Sequence, residues 1–247
     1  MRLEPWAAAA GDLLLGASCH GCGTPWWGVC PRCRTLLRER RPYLTCPDPC
    51  PESFPTTVAC SPYDALLRGM ISAHKDRGAL GLGPVLADRL AQSVHALLRH
   101  VGARGPVLLV PVPSAAAAVR RRGYDATWTL ARRAARQLAG QHAVRAAPLL
   151  RQRAGVADQA GLGAAERQAN LTGGLQLRRR PAAAAGPAGP AVVLVDDLVT
   201  TGATLGEAAR VLDRAGLRLL GAATVAATVR RRPVSGPTAG PTSVSLG

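Results

Sequence analysis

The spacing of apolar and polar positions changes near residue 62. Residues 18–60 carry Cys, Pro and Gly with little periodicity, as in a small module whose core is too thin to fold without a staple. Residues 1–17 ahead of it read as a short amphipathic helix. From Pro62 on, Tyr63, Leu66, Leu67, Met70 and Ile71 recur at helical spacing. Further helices are predicted over Val85–Val101, Thr127–Leu138 and Gly202–Ala215. Val107–Val110, bounded by Pro106 and Pro111, predicts a buried strand; Val192–Val195 and Leu217–Val225 predict two more. Apolar strands alternating with amphipathic helices predict a parallel sheet covered on both faces. Residues 178–190 and the tail from Arg230 read as poorly ordered, and no internal repeat is present.

The strand Val192–Val195 ends in Asp196-Asp197, followed by Leu198-Val199-Thr200-Thr201-Gly202-Ala203-Thr204. In an open parallel sheet, ligands bind beyond the carboxyl ends of the strands. Two adjacent carboxylates there raise each other's pKa unless something binds them. Ribose hydroxyls satisfy both as donors, and Mg²⁺ on the same ligand would offset their charge. Small residues and hydroxyls entering a helix N-terminus form an anion cradle. A sugar 5-phosphate fits that order of groups. A Thr-capped helix alone would explain Thr200 or Thr201, but not paired acids at a strand exit.

Cys19-x-x-Cys22 and Cys30-x-x-Cys33 form two thiolate pairs flanking Trp26, Trp27 and Gly28. Four thiolates complete a tetrahedral Zn²⁺ site and leave no open position, which makes it structural. Disulfides are the competing reading, and a reducing compartment argues against them. Cys46, Cys50 and Cys60 are left over with irregular spacing and read as a decayed second site; the alternatives are a second zinc completed by His20 or His74, or Cys46 or Cys50 completing the first site.

Composition adds little that is specific. The chain has 247 residues, a net charge of +16 and only 3% aromatic residues. Arg is spread along the whole chain, so solvated helix faces account for much of the charge, although the field attracts phosphates and nucleic acids. No apolar run predicts membrane insertion, and no secretory leader is evident, so the expected address is cytoplasmic.

The thirteen residues Val192–Thr204 resemble the signature by which type I phosphoribosyltransferases bind 5-phosphoribosyl 1-diphosphate (PRPP). Over roughly residues 13–230 the chain resembles the ComF/GntX family of phosphoribosyltransferase-like proteins. The carrying pieces are the two Cys pairs, Tyr63-x-x-x-Leu67 with His74-Lys75, and Val110-Pro111-Val112-Pro113 with Arg122-Gly123-Tyr124-Asp125. Leu150-Arg151, Asp158-Gln159-x-Gly161-Leu162, and Glu166-Arg167 with Asn170 follow in order before the signature.

The resemblance implies an α/β type I phosphoribosyltransferase fold with a small N-terminal zinc-ribbon module. The implied division is residues 1–60 for helix and ribbon, 61–230 for the phosphoribosyltransferase-like domain, and 231–247 for a disordered tail. Asp196 and Asp197 would be the catalytic acids on the ribose. Val195, Thr200, Thr201, Gly202, Ala203 and Thr204 would complete the PRPP site. Pro111, Val112, Pro113, Ser114 and Arg122 would form the diphosphate side, and Gln159, Arg167 and Asn170 a mobile cover. Structural Zn²⁺ on Cys19, Cys22, Cys30 and Cys33, and Mg²⁺ with PRPP, are the implied cofactors. Ala115–Ala118 stand where the family carries a basic, Pro-containing stretch, and Asp125 where Asn is usual.

Three functions follow as expectations. The first is a phosphoribosyltransferase whose acceptor the sequence does not name. The second, implied by the ComF/GntX resemblance, is a single-stranded DNA-binding accessory factor in DNA uptake or processing, acting with a competence helicase. The third is a PRPP sensor without turnover.

Overall fold

The structure, a computed structural model, describes residues 18–153, 173–178 and 189–228 and the backbone of 230–233. The helix expected over residues 1–17, most of residues 178–190, and the tail beyond 233 lie outside the described residues.

Pro31 sits in the first turn of α1 (Pro31–Glu39), where its missing N–H is no loss, and Cys30 is the N-cap. Two strands follow, β1 (Tyr43–Cys46) and β2 (Thr57–Pro62). Asp64 caps α2 (Ala65–Asp76) by accepting from the Leu67 N–H at 3.2 Å. The long helix α3 spans Gly83–His100 and leads to β3 (Val107–Pro111). Then come α4 (Ala116–Arg122) and α5 (Ala126–Leu138), the latter capped by Asp125. Short strands β4 (Val144–Ala146), β5 (Leu150–Gln152) and β6 (Leu175–Leu177) precede the long β7 (Ala191–Val199). α6 (Ala203–Arg214), β8 (Leu219–Ala227) and β9 (Arg230–Pro233) complete the order.

Seven strands form one sheet in the order β4-β3-β7-β8-β2-β1-β9. The five from β4 to β2 are parallel, while β1 runs antiparallel to both β2 and β9. β5 and β6 make a separate antiparallel pair. The apolar run of β7 follows from this placement. Val193 and Val195 point into one core, shared with α2, α3 and α5, whereas Val192 and Leu194 point into a second core beneath α6 and the β5–β6 pair. All four are fully buried. The mixed α/β fold with a mostly parallel sheet is therefore present, with the four cysteines at its N-terminal side.

Two strands arise inside the stretch that looked aperiodic. Thr57–Pro62 extends the parallel sheet along β8, from Ala222 to Ala227, and residue 60/61 falls within that strand. The edge of β8 away from β7 supplies the ladder that local sequence does not advertise. β1 then turns back, and β9 pairs with it through residues read as tail. The cysteine module shares the first core: Cys19, Cys33 and Leu37 are buried in the same cluster as Leu67 and Met70.

Candidate functional site

β7 carries Asp196 and Asp197 to its carboxyl end, beside the end of β3. Asp197 is only 2% exposed, while Asp196 is half-buried. The Lys75 ammonium, from the last turn of α2, lies 2.7 Å from both carboxylate oxygens of Asp197. The Asp197 N–H donates to Asp196 Oδ1 at 2.8 Å. Burial, and then the neighbouring Asp197 charge, hold the Asp196 carboxyl well above the usual carboxylate range. Desolvation pulls Lys75 down, but the charges of Asp197 and Asp196 outweigh it and keep the ammonium above its ordinary value.

The turn after β7 is open on one side and packed on the other. Thr200 and Thr201 are exposed, and Ala203 and Thr204 are partly so. Gly202 is buried, with φ +74°. A Cβ on it would sit 2.6 Å from the Phe54 ring and 2.6 Å from Pro47, so both the conformation and the close approach require glycine. The first N–H groups of α6 lack intrahelical partners and emerge beside these hydroxyls.

The end of β3 is tied to β7 by the Val112 N–H, which donates to the Val195 carbonyl at 2.9 Å. Pro111 ends β3, and Pro113 and Ser114 follow, half-buried. Ser114 Oγ donates to Asp125 Oδ1 at 3.0 Å, and the same carboxylate accepts from the Trp128 N–H at 3.1 Å. Gly123, with φ +78°, ends α4 and aims Arg122 and Tyr124 back towards α2. The Tyr124 hydroxyl donates to the His74 carbonyl, and the His74 and Tyr124 rings lie 5.7 Å apart. Arg122 Nε donates to Ala118 O at 2.9 Å, and its Nη1 is buried without a hydrogen-bond partner among the described residues. Its charge acts on both His74 and Lys75. Beside this loop is a cavity of about 510 Å³, lined among others by Ser114, Arg120, Trp128, Arg151, Gln152 and Arg178.

Gln159, Arg167 and Asn170 lie outside the described residues. The strands on either side of them, β5 and β6, are anchored to α6: the Gly173 N–H donates to Glu207 Oε1 at 2.9 Å, and Arg210 holds the same carboxylate at 2.6 Å. The structure thus brings together the β7 acids, the Thr200–Thr204 turn and the β3 loop. Lys75, His74 and Tyr124 join them without any role at this site having been assigned from sequence. Lys75 lies 122 residues from its partner acid, so no local pattern marks the pair.

The Sγ atoms of Cys19, Cys22, Cys30 and Cys33 all lie within 4.8 Å of one another. Tetrahedral Zn–S bonds place sulfurs about 3.8 Å apart, and Cys22 and Cys30 are at 3.6 Å. N–H groups already face the sulfurs: Cys30 N donates to Cys19 Sγ at 3.3 Å and Cys33 N to Cys30 Sγ at 3.5 Å. The four residues fit a structural metal ion. Cys46 and Cys50 are instead joined to each other, and Cys60 is buried against Gln92 and Arg89, so the leftover three gather at no common point. Trp27 is 65% exposed, Trp26 packs on the core, and Trp128 lines the cavity. No helix among the described residues is long and apolar enough to cross a membrane.

A parallel sheet with helices on both faces, paired acids at a central strand exit and a glycine turn entering a helix define an α/β protein with its site at the strand ends. Residues 76–237 match the phosphoribosyl transferase domain, more than half of the chain, and the chain belongs to that family. No curated protein matches it.

Proposed function

We propose that the protein binds PRPP with Mg²⁺ and transfers its 5-phosphoribosyl group to an acceptor, releasing diphosphate. The observation that carries this reading is the acidic pair at the β7 exit, three residues ahead of an open hydroxyl-bearing turn at the start of α6. Asp196 and Asp197 accept the ribose hydroxyls. Thr200, Thr201 and Thr204, with the N–H groups of Ala203 and Thr204, hold the 5-phosphate at the positive end of α6. The Val112–Val195 bond fixes the distance between the β7 exit and Pro111–Ser114, so the diphosphate lies on the β3 side, within the field of Arg122. Val195, fully buried, holds the acids in register. Gln159, Arg167 and Asn170 cover the bound ligand. Mg²⁺ would supply charge neutralisation at the diphosphate; the C1–diphosphate bond breaks, the acceptor nitrogen bonds C1, and its proton is carried off by the departing diphosphate or by water. The remaining rate comes from positioning and from cations near the leaving group.

Lys75 enters this scheme as the resting partner of Asp197. When ribose hydroxyls reach the carboxylates, the ammonium is freed to turn to the diphosphate. We read the chain as ComF/GntX type, because a four-cysteine module precedes the family domain.

Calorimetric titration with Mg²⁺-PRPP tests the site without knowledge of the acceptor. Wild type is expected to bind, and the Asp196→Asn/Asp197→Asn double variant to lose binding; equal affinity of the two would sink the assignment. A second reading, PRPP binding without turnover, draws on α4, whose first turn at Ala116–Ala118 offers no cation to the diphosphate. Diphosphate release in the presence of candidate acceptors separates the two.

A further inference from the structure

We propose that metal loading of the four-cysteine cluster sets the position of Lys75, and through it the affinity of the acidic pair for its ligand. The coupling element is α2, which is held by the cysteine module along its length and delivers Lys75 at its end.

The module meets α2 backbone to backbone. A Cβ on Gly69 would lie 2.3 Å from the His20 carbonyl oxygen, inside the Cys19–Cys22 knuckle. A Cβ on Gly21 would lie 2.7 Å from Leu66 Cδ1 and 2.9 Å from Met70 Cε. The side chains of Leu66 and Met70 can turn, but the Gly69–His20 contact is backbone against backbone and has no slack, so a shift of the knuckle at His20 must move the helix. A second route starts from the other pair of cysteines. Cys30 caps α1 and Cys33 lies in its first turn. Beyond the far end of α1, Arg40 pairs with Asp64, the N-cap of α2, at 2.5 Å. The buried Arg89 guanidinium binds the Leu37 carbonyl at 2.5 Å and fixes that end of α1 on α3. Both halves of the cluster therefore grip α2, one at its start and one at its middle.

Six residues, about 9 Å of helix rise, separate Gly69 from Lys75. The end of α2 is pinned to the site by Lys75 on Asp197 and by the Tyr124 hydroxyl on the His74 carbonyl. A divalent ion closes four sulfurs that otherwise rest on a few backbone bonds, among them Cys19 N to Thr24 O and His20 N to Gly28 O. Without it the knuckle loosens and α2 loses its platform. Lys75 then no longer reaches Asp197 at 2.7 Å, nor is it placed to turn to the diphosphate when ribose hydroxyls take over the carboxylates, so the bound ligand loses a cation.

The affinity arm of the test rests on the PRPP reading; the exchange arm does not. The full chain is compared with zinc bound and after chelation, by hydrogen exchange of residues 65–76 without ligand and by Mg²⁺-PRPP calorimetry. Metal removal is expected to raise exchange in α2 and to weaken Mg²⁺-PRPP about tenfold, an ordinary coupling strength. Gly69→Ala, with its zinc content verified by metal analysis, should move both readouts the same way without chelation. Lys75→Met should weaken binding and abolish its response to metal. Unchanged α2 exchange in the chelated protein and in Gly69→Ala would overturn the coupling. So would a Lys75→Met protein that responds to metal as wild type does. Should wild type bind no Mg²⁺-PRPP in either state, the ligand assignment fails while the exchange arm still judges the coupling.

Discussion

Lys75 Nζ lies 2.7 Å from both carboxylate oxygens of Asp197, across 122 residues of sequence, and Asp197 is only 2% exposed. A nearly buried acid paired with a cation has its charge balanced. In the PRPP reading proposed above, ribose hydroxyls replace this partner. Asp197→Asn removes both the acceptor for a ribose hydroxyl and the anchor of Lys75. It should weaken Mg²⁺-PRPP by roughly 2 kcal/mol, about thirtyfold, measured by calorimetry. Asp213→Asn, exposed in the last turn of α6, serves as the charge-matched control and should leave binding unchanged.

The neighbour Asp196 predicts a pH dependence. Its carboxyl is held above its unfolded value, by burial first and by Asp197 second. Its contribution to stability is therefore complete below the unfolded pKa and is lost as pH rises through the raised folded value. Thermal midpoints of wild type minus Asp196→Asn, taken without ligand, should fall as pH rises from about 4 to neutral and beyond. Mg²⁺-PRPP binding to the ionised pair should release protons below the raised pKa. Titrations in buffers of different ionisation enthalpy read that release, and a pH-independent difference in midpoint would contradict the assignment.

Gly202 is required twice, by its φ of +74° and by the Phe54 and Pro47 atoms 2.6 Å from a Cβ position. Gly202→Ala should destabilise the protein by roughly 2 kcal/mol and weaken Mg²⁺-PRPP binding. Adding Phe54→Ala relieves the Phe54 share of the clash and leaves the Pro47 contact and the backbone part. Chemical denaturation of the single and double variants separates the two, and equal stability of Gly202→Ala and wild type would refute the packing argument.

Arg89 is 1% exposed and donates to the Leu37 carbonyl at 2.5 Å, the Arg40 carbonyl at 3.4 Å and Asp88 at 2.9 Å. Arg89→Met keeps the volume but takes the guanidinium from the Arg40 carbonyl and leaves the Leu37 carbonyl with only the Arg40 N–H at 3.2 Å. A loss of roughly 3 kcal/mol is expected by denaturant titration, with the zinc equivalence retained.

How far this protein can be read from its sequence depends on the range of the interactions involved. The strand Val192–Val195 was legible because both of its faces are buried, which makes the run continuously apolar. Val85–Val101 and Thr127–Leu138 were legible because each helix buries one stripe, and α3 and α5 match them within a few residues. β1 and β2 were not, since YLTC and TVACSP sit among prolines and cysteines; β2 gains its ladder from β8, and β1 gains its own from β2 and β9.

By itself the sequence determined the covalent order of the site: apolar run, two acids, hydroxyl turn, glycine, helix, and ahead of it two cysteine pairs at metal spacing. Those are local facts, because strand exit, turn and helix start are neighbours along the chain. Only the tertiary structure decided that Asp197 faces Lys75, that Phe54 and Pro47 back the Gly202 turn, and that the cysteine knuckle rests on the helix carrying that lysine. Each of these contacts joins segments that fold together only when a common sheet buries both. A chain written as a line records the groups and their spacing, while their distances in space follow from how the two cores pack.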